Sequence, residues 1–514
     1  MTSPIARVLR DPWLVPGAVA LAAFLLYFVP GLVGPYGPFI DELYYVACAK
    51  HLAWGYVDHP PLAPLLLRAA MIVGGENLVV LRLLASTFGA LTVLGTGLLA
   101  WRLGANRFGQ GIASAAMLCS PIAQVLFGFY SMNAIEPLLW LVLCWLLIEI
   151  ADGGPPWLWI AFGAVAGIAL MTKHTVMTFL LAWAIAIVLT PARRQLASRW
   201  PWIAAVLAAL VLAPNIGWQV VHGWPSLEFY RNAALHKNQP IGPLQVLGQQ
   251  LMFMSPGTLP IWVAGLVLLL KRTRPIDLRQ LAFTYLVLIG LLMVSGQSRP
   301  DRAVGIYPVL FAAGGLALGS LAAKHRWLRF ALPTWMAVWG VVLLPIGMPV
   351  LPPDQLSAYA AALGVVPQIE RGEGKRTALP QWFADRLGWQ ALVDDVAAVR
   401  DSLPPDEQHE VMFFAPSYGQ AGALEWLGRS QRLVPVYSTH NNYHLWGPPP
   451  RDPAVAIVIG DRREELEKLF ERVELARIHE CGRCMPWRNH MPIWIVRSAR
   501  VHVAAHWHEW RHYE

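Results

Sequence analysis

Asp41-Glu42-Leu43-Tyr44-Tyr45, and then Gly55-Tyr56-Val57-Asp58-His59-Pro60-Pro61-Leu62, lie in one loop that follows the first apolar run, residues 14–33. Holding charge beside lipid is costly, so acids and a histidine gathered at the edge of a bilayer mark a functional site. Here an acidic pair is followed by a third acid, a histidine and two prolines. That combination points to chemistry at a membrane surface on a lipid-linked substrate, provided that the apolar run is a membrane span.

The composition says that it is. Hydrophobic residues make up 56% of the chain and charged residues 14%, with a mean hydropathy of +0.45; soluble domains carry about 25% charged residues. The 24 tryptophans suit wide membrane–water interfaces. A net charge of +8 could suggest nucleic acid, but most basic residues sit in short loops between apolar runs, so no nucleic-acid partner is expected. Apolar runs near 14–33, 78–101, 108–129, 134–150, 156–172, 174–190, 201–220, 256–270, 281–295, 304–322 and 328–349 predict eleven membrane helices. Residues 62–73 read as a further re-entrant or interfacial helix. The first run is longer than a signal-peptide core and no cleavage site follows it, so it reads as a transmembrane helix.

Charge sets the topology. With a cytoplasmic N-terminus, the cytoplasmic connections carry Arg7 and Arg10; Arg102 and Arg107; and Arg193, Arg194 and Arg199. Then come Lys271, Arg272, Arg274 and Arg279, and finally Lys324, Arg326 and Arg329. This is the positive-inside pattern; only the turn at 152–156 lacks a positive charge. Loops 34–77, 221–255 and 295–303, and everything after about 350, fall on the outer face. Residues 350–380 are rich in Pro and Gly and read as a linker. An outer soluble α/β domain is expected at 381–500, with strands at 411–415, 454–459 and 492–496 and helices at 381–402 and 461–470. A tail, 501–514, follows.

On this topology six segments bring polar groups to the outer ends of helices. They hold Asp41 and Glu42; Asp58 and His59; Asn133 and Glu136; Lys173 and His174; His222, Glu228, Arg231, His236 and Lys237; and Gln297, Arg299, Asp301, Arg302 and Tyr307. Each could be an ordinary solvated loop residue, and Lys173 a snorkelling lysine. The prolines beside Asp58 and His59 argue against that for the first loop, because their rings fix the backbone angle. Carboxylates and cations around one cavity suit glycosyl transfer from a lipid phosphate. A carboxylate takes the proton of an attacking hydroxyl, and cations stabilise the charge growing on the departing phosphate.

At these residues the chain resembles membrane glycosyltransferases of the GT-C fold, specifically glycosyltransferase family 39 with its protein-mannosyltransferase and aminoarabinose-transferase relatives. The two first-loop segments carry the resemblance, joined by Ser131-Met132-Asn133-Ala134-Ile135-Glu136, Met171-Thr172-Lys173 and Pro214-Asn215-Ile216-Gly217-Trp218-Gln219. In the outer domain, Leu379-Pro380-Gln381, Ala384-Asp385-Arg386-Leu387-Gly388-Trp389, Tyr418-Gly419-Gln420-Ala421-Gly422-Ala423 and residues 438–447 add to it. The resemblance implies a polytopic α-helical membrane protein of the GT-C type, with about 11–13 transmembrane helices and a C-terminal soluble α/β domain. It implies inverting transfer of a sugar from an undecaprenyl-type polyprenyl phosphate to a lipid, glycan or protein acceptor of the cell envelope. The place would be the outer face of a bacterial inner membrane, with the C-terminal domain periplasmic or extracellular. The transfer would be metal-independent or loosely assisted by a divalent metal, with no other cofactor. Asp41 would be the general base, and Glu42 would orient the acceptor or the first-loop helix. Asp58 and His59 stand where aminoarabinose transferases have an acid and a lysine near the phosphate; a histidine there is a departure. Glu136 would be the second acid, one step off the family spacing. Lys173, Arg302 and Tyr307 would bind the lipid phosphate, and Arg231 in the third outer loop is a further candidate for binding substrate.

Cys481 and Cys484 read as a disulfide in an oxidising outer compartment, with a zinc half-site beside His479 and His490 as the alternative. His502, His506, His508 and His512, with Trp507 and Trp510, read as an interfacial amphipathic end. A lipid-linked-sugar flippase or secondary transporter is the rival reading. Transporters, however, place charged sites near the bilayer midplane in repeated halves, and no repeat is visible here.

Overall fold

The computed structural model describes residues 11–238, 240–271, 277–296, 299–365 and 377–514. Arg7, Arg10, Arg272, Arg274, Gln297 and the middle of the 350–380 linker lie outside the described residues. The chain divides into two compact units made of interleaved segments: Met1–Gly34, Asn77–Trp218 and Asn238–Leu351 in the first, and Pro35–Glu76, Gln219–Lys237 and Pro352–Glu514 in the second.

The first unit is helical, and all eleven predicted runs are helices in it. Among the described residues, six helices are long and apolar enough to span: Leu14–Val33, Leu78–Arg102, Met132–Ala151, Trp200–Val221, Asp301–Lys324 and Leu328–Gly347. Three runs are bent pairs, Arg107–Leu118 with Pro121–Phe127 (65°), Val176–Leu189 with Pro191–Ala197 (102°) and Pro243–Met254 with Pro256–Leu270 (85°), giving up to nine spans. A proline opens each second segment and removes the hydrogen bond that would continue the first. Leu158–Leu170 and Arg279–Ser295 are shorter apolar helices. This is a multi-pass membrane protein. At Gly265 and Gly314 a Cβ would collide with the backbone carbonyls of Leu310 and Ile261, so these two helices meet backbone to backbone, as small residues permit in membranes. Arg102 donates to both oxygens of Glu149 at 2.7 and 2.8 Å and to Asp152 at 2.6 Å. The turn at 152–156, which carries no cation of its own, therefore shares the cation of the 102–107 connection.

The stretch 221–255 is more helical than its sequence suggests. Helices Pro225–Asn232 and Pro243–Met254 occupy much of it, each opened by a proline at its first position, where no amide is needed. The first of them belongs to the second unit.

The second unit is built on a five-stranded sheet: β1 (Met412–Phe414), β2 (Val436–Tyr437), β3 (Val455–Ile459), β4 (Phe470–His479) and β5 (Met491–Ala499), in the order β2-β1-β3-β5-β4. β1 runs parallel to β2 and β3, while β5 is antiparallel to both β3 and β4. Alternation divides the sheet's faces. Phe413, Ile457, Ile493 and Ile495 face helix Trp389–Asp401 through Leu392, Val393 and Val396. Met412, Ala456, Val458, Trp494 and Val496 face Leu466 and Phe470. β1, β3 and β5 are the expected strands. β2 and β4 are additional, β4 being exposed along most of its length. The predicted helix 381–402 is two pieces, Gln381–Ala384 and Trp389–Asp401, separated by Gly388 in the left-handed region.

Helix Ile40–Lys50 of the first loop is part of this unit. Leu43 enters the sheet's core, and Tyr44, Ala47 and Cys48 pack with Ala421 and Tyr443. Helix Tyr418–Trp426 lies against it at contact distance, because a Cβ on Gly419 would strike Ile40 and one on Gly422 would strike the Leu43 carbonyl. The 501–514 tail is not a free amphipathic end. Tyr513 and Glu514 are buried, Arg511 pairs with Glu228 at 3.0 Å, and residue 512 bridges to residue 440 in parallel.

Candidate active site

The acidic pair splits into two jobs. Glu42 has no exposed surface, and its carboxylate accepts the Phe39 amide at 2.7 Å, closing the N-terminus of helix Ile40–Lys50 as the acidic half of a capping box does. Asp41, one residue earlier, stays half-buried and accepts the Tyr418 hydroxyl at 3.1 Å. Its carboxyl is pushed up to about 7. Burial is the main cause, and the charges of Asp58 and Asp385 add to it. The Lys237 ammonium and the Tyr418 hydrogen bond work in the opposite direction. Asp385 is itself held by Arg488 at 3.3 Å, whose guanidinium lies 4.1 Å over the Trp389 ring.

The turn that follows is held at each residue. The Tyr56 amide donates to the His59 carbonyl at 3.0 Å. The Tyr56 carbonyl accepts from Ser226 at 3.3 Å and from Gln219 at 3.5 Å. The Val57 amide donates to Asn442 Oδ1 at 2.7 Å, and Asp58 Oδ1 accepts the Tyr44 hydroxyl at 3.0 Å. His59 is fully buried, stacked on Tyr45 with ring centroids 4.7 Å apart and equally close to Tyr56. Its Nδ1 is 3.0 Å from the Pro60 carbonyl. The ring braces the turn from inside the aromatic cluster, its Nε2 3.9 Å from the Asp58 carboxylate. Arg231 is exposed, on helix Pro225–Asn232.

The remaining expected residues belong to the first unit. Glu136 and Lys173 are both buried and pair at 2.9 Å; Thr175 donates to the other carboxylate oxygen at 3.0 Å. Asp301 is 3.2 Å from Arg299 and within electrostatic reach of Lys173 and Arg302. Tyr307 is fully buried, its hydroxyl bonded to Gln250 at 2.9 Å and within 3.3 Å of the Tyr285 hydroxyl. It is a strut between helices rather than an exposed ligand.

Cys481 and Cys484 form a disulfide, with Cα atoms 5.6 Å apart. Among the described residues no group of three or more His, Cys, Asp or Glu is arranged to hold a metal ion. Tyr44, Tyr418, Asp385 and Asn442 are the site residues that sequence reading missed. All four lie inside the segments that carried the resemblance, but their types alone did not separate them from packing residues.

Residues 58–218 match the family described as dolichyl-phosphate-mannose-protein mannosyltransferase. Across 93% of this chain and 97% of the other, the fold superposes on ArnT from Cupriavidus metallidurans in the apo state, with a TM-score of 0.60 and 14% identity. The same protein bound to undecaprenyl phosphate gives 0.59 and 16%, covering 94% of this chain and 97% of that one. The chain has the GT-C fold. Within that GT-C frame, the lipid A galacturonosyltransferase RgtD of Rhizobium johnstonii is 29% identical over 190 residues, 36% of this chain. The match spans only 39% of that relative's own length.

Proposed function

We propose that this GT-C protein is an inverting glycosyltransferase, moving a sugar from a polyprenyl phosphate to a cell-envelope acceptor at the outer face of the membrane. The observation that carries the reading is Asp41: a half-buried carboxylate whose proton affinity is raised to about 7, where a general base works best at neutral pH. The acceptor oxygen attacks C1 of the sugar on the face opposite the phosphate. The C1–O bond to phosphate breaks with its electron pair left on the phosphate oxygen, and the acceptor's proton passes to Asp41. We assign Arg231 and Lys237, both in the unit that holds Asp41, to the departing phosphate, which fixed cations stabilise. Lys173 and Arg302 belong to the first unit, where Lys173 is paired with Glu136. Glu42 orients the first-loop helix through its cap. The undecaprenyl phosphate complex of ArnT supports the carrier class, and the lipid A transferase supports an envelope lipid as acceptor. The outer-face placement rests on the Lys/Arg bias of the opposite loops.

The test uses purified protein in lipid with labelled polyprenyl-phosphate sugars and envelope extract as acceptor. Release of free polyprenyl phosphate that needs both the extract and Asp41 is the expected result. No release from any donor, with labelled lipid crossing the bilayer instead, would replace the transferase by a flippase.

A further inference from the structure

We propose that Asn442 is a positioning residue: its side chain fixes the turn that carries Asp58 and lies against the Tyr44 phenol that bonds the Asp58 carboxylate, in the unit that holds Asp41. The inference rests on the transferase reading for its consequence in catalysis, but its geometry stands within one unit.

Asn442 is buried and grips the first loop from two directions. Its Oδ1 accepts the Val57 amide at 2.7 Å, one residue before Asp58. Its backbone N–H donates to the Tyr44 hydroxyl at 3.2 Å, a contact that stays in place whatever the side chain at 442. That hydroxyl has one proton and two acceptors in reach, Asp58 Oδ1 at 3.0 Å and Asn442 Oδ1 at 3.1 Å. An ionised carboxylate is the stronger acceptor, so the proton goes to Asp58 while the Asn442 backbone N–H fills the oxygen's acceptor side. One asparagine thus holds both the backbone next to Asp58 and the phenol that bonds it.

Asn442 is in turn held by strained backbone. Asn441 has φ 47° and ψ −130°, a conformation that persists only where surrounding contacts impose it. Residues 512–514 impose it. The Asn441 amide donates to the His512 carbonyl at 2.9 Å, the Glu514 amide donates to Asn441 Oδ1 at 3.1 Å, and Asn441 Nδ2 donates to the Glu514 backbone oxygen at 3.3 Å. The Nε2 of His440 lies 2.9 Å from the same oxygen. Segment 512–514, helix Ile40–Lys50 and the 56–59 turn are therefore joined through two consecutive asparagines. A packing role alone would need neither the strained residue nor a buried side-chain oxygen accepting the backbone amide next to Asp58.

The charged and titratable groups acting on Asp41 are Asp58, Asp385, Lys237 and Tyr418. Of these, Asp58 is the one that Asn442 and Tyr44 hold. Releasing it weakens a repulsion that keeps the Asp41 proton bound, so the acid limb of activity moves to lower pH.

The test compares wild type with Tyr44→Phe, which removes one oxygen and keeps the ring, with Asn442→Ala, and with Asn442→Asp, which keeps the acceptor oxygen. Tyr44→Phe and Asn442→Ala should lower kcat about tenfold with donor KM within about twofold, and should move the acid limb of kcat/KM down. Asn442→Asp should recover kcat, and its added charge should move the limb up. The Asp41 carboxyl titration, followed by infrared difference against Asp41→Asn, should shift in the same directions without any turnover. Losses that track only the folded fraction, with limb and titration at their wild-type positions, would overturn the proposal. Absence of Asp41-dependent turnover in wild type would remove the transferase reading instead, while the infrared titration still decides whether Asn442 sets the proton affinity of Asp41.

Discussion

Two clusters in this protein each set a carboxylate against a lysine and have opposite electrostatics. Around Asp41 the acids Asp58 and Asp385 outnumber the single lysine that acts on it, and the carboxyl holds its proton up to about 7. Around Glu136 a lysine sits at 2.9 Å and a threonine fills the second oxygen. The first carboxylate is left with a proton to exchange; the second is neutralised inside the protein. A buried acid in a membrane protein is thus a reagent or a brace depending on whether its counter-charge is supplied from within.

Removing the Asp41 carboxylate should have the largest effect. Asp41→Asn is expected to lower kcat/KM by about 10²–10⁴-fold, the span of general-base contributions, with donor binding retained in an equilibrium assay. If the Glu136 cluster is a brace, Lys173→Met should instead destabilise the fold by about 3–5 kcal/mol by leaving a buried charge unpaired. Adding Glu136→Gln to that variant should recover a large share of the loss. Thermal unfolding in lipid or detergent reads both.

The comparison sharpens with pH. The acid limb of kcat/KM should lie near pH 7 in wild type, and Asp58→Asn should move it down by removing a like charge. Tyr418→Phe should move it up, because the lost hydrogen bond favoured the ionised form, and kcat should fall severalfold. Stability carries the same sign. The folded-state value of Asp41 lies above that of an unfolded aspartate, so the folded form binds more protons between the two. Its contribution to stability therefore falls as pH rises through that window. Asp41→Asn, which has no charge to bury, should gain thermal stability relative to wild type as pH climbs from 4 to 8; a constant difference would contradict the raised affinity. The smallest effect belongs to the other half of the acidic pair. Glu42→Ala removes a helix cap and should cost about 0.5–2 kcal/mol.

The membrane helices were readable from the chain because a charge in lipid is expensive wherever it sits. Runs such as 78–101 and 328–349 therefore announce themselves without partners. The strands of Val455–Ile459 and Met491–Ala499 were readable for a related reason, being buried apolar β-formers. Phe470–His479 was not, since an edge strand with most side chains in water carries little apolar pattern. His59 and Tyr307 were expected at the lipid phosphate because the resemblance placed them there. The fold buries both, one among tyrosines and one between helices, and burial is decided by neighbours that lie far away along the chain.

The sequence by itself determined that this is a polytopic membrane protein with a small α/β region, and that Asp41 and Asp58 sit in one charged loop, because hydrophobicity and charge act residue by residue. Only the tertiary structure decided that Glu42 caps a helix while Asp41 accepts the hydroxyl of Tyr418, and that Asn442 holds the turn beside Asp58. Those assignments depend on hydrogen bonds and charges brought to within a few ångströms from segments hundreds of residues apart, where burial amplifies each interaction.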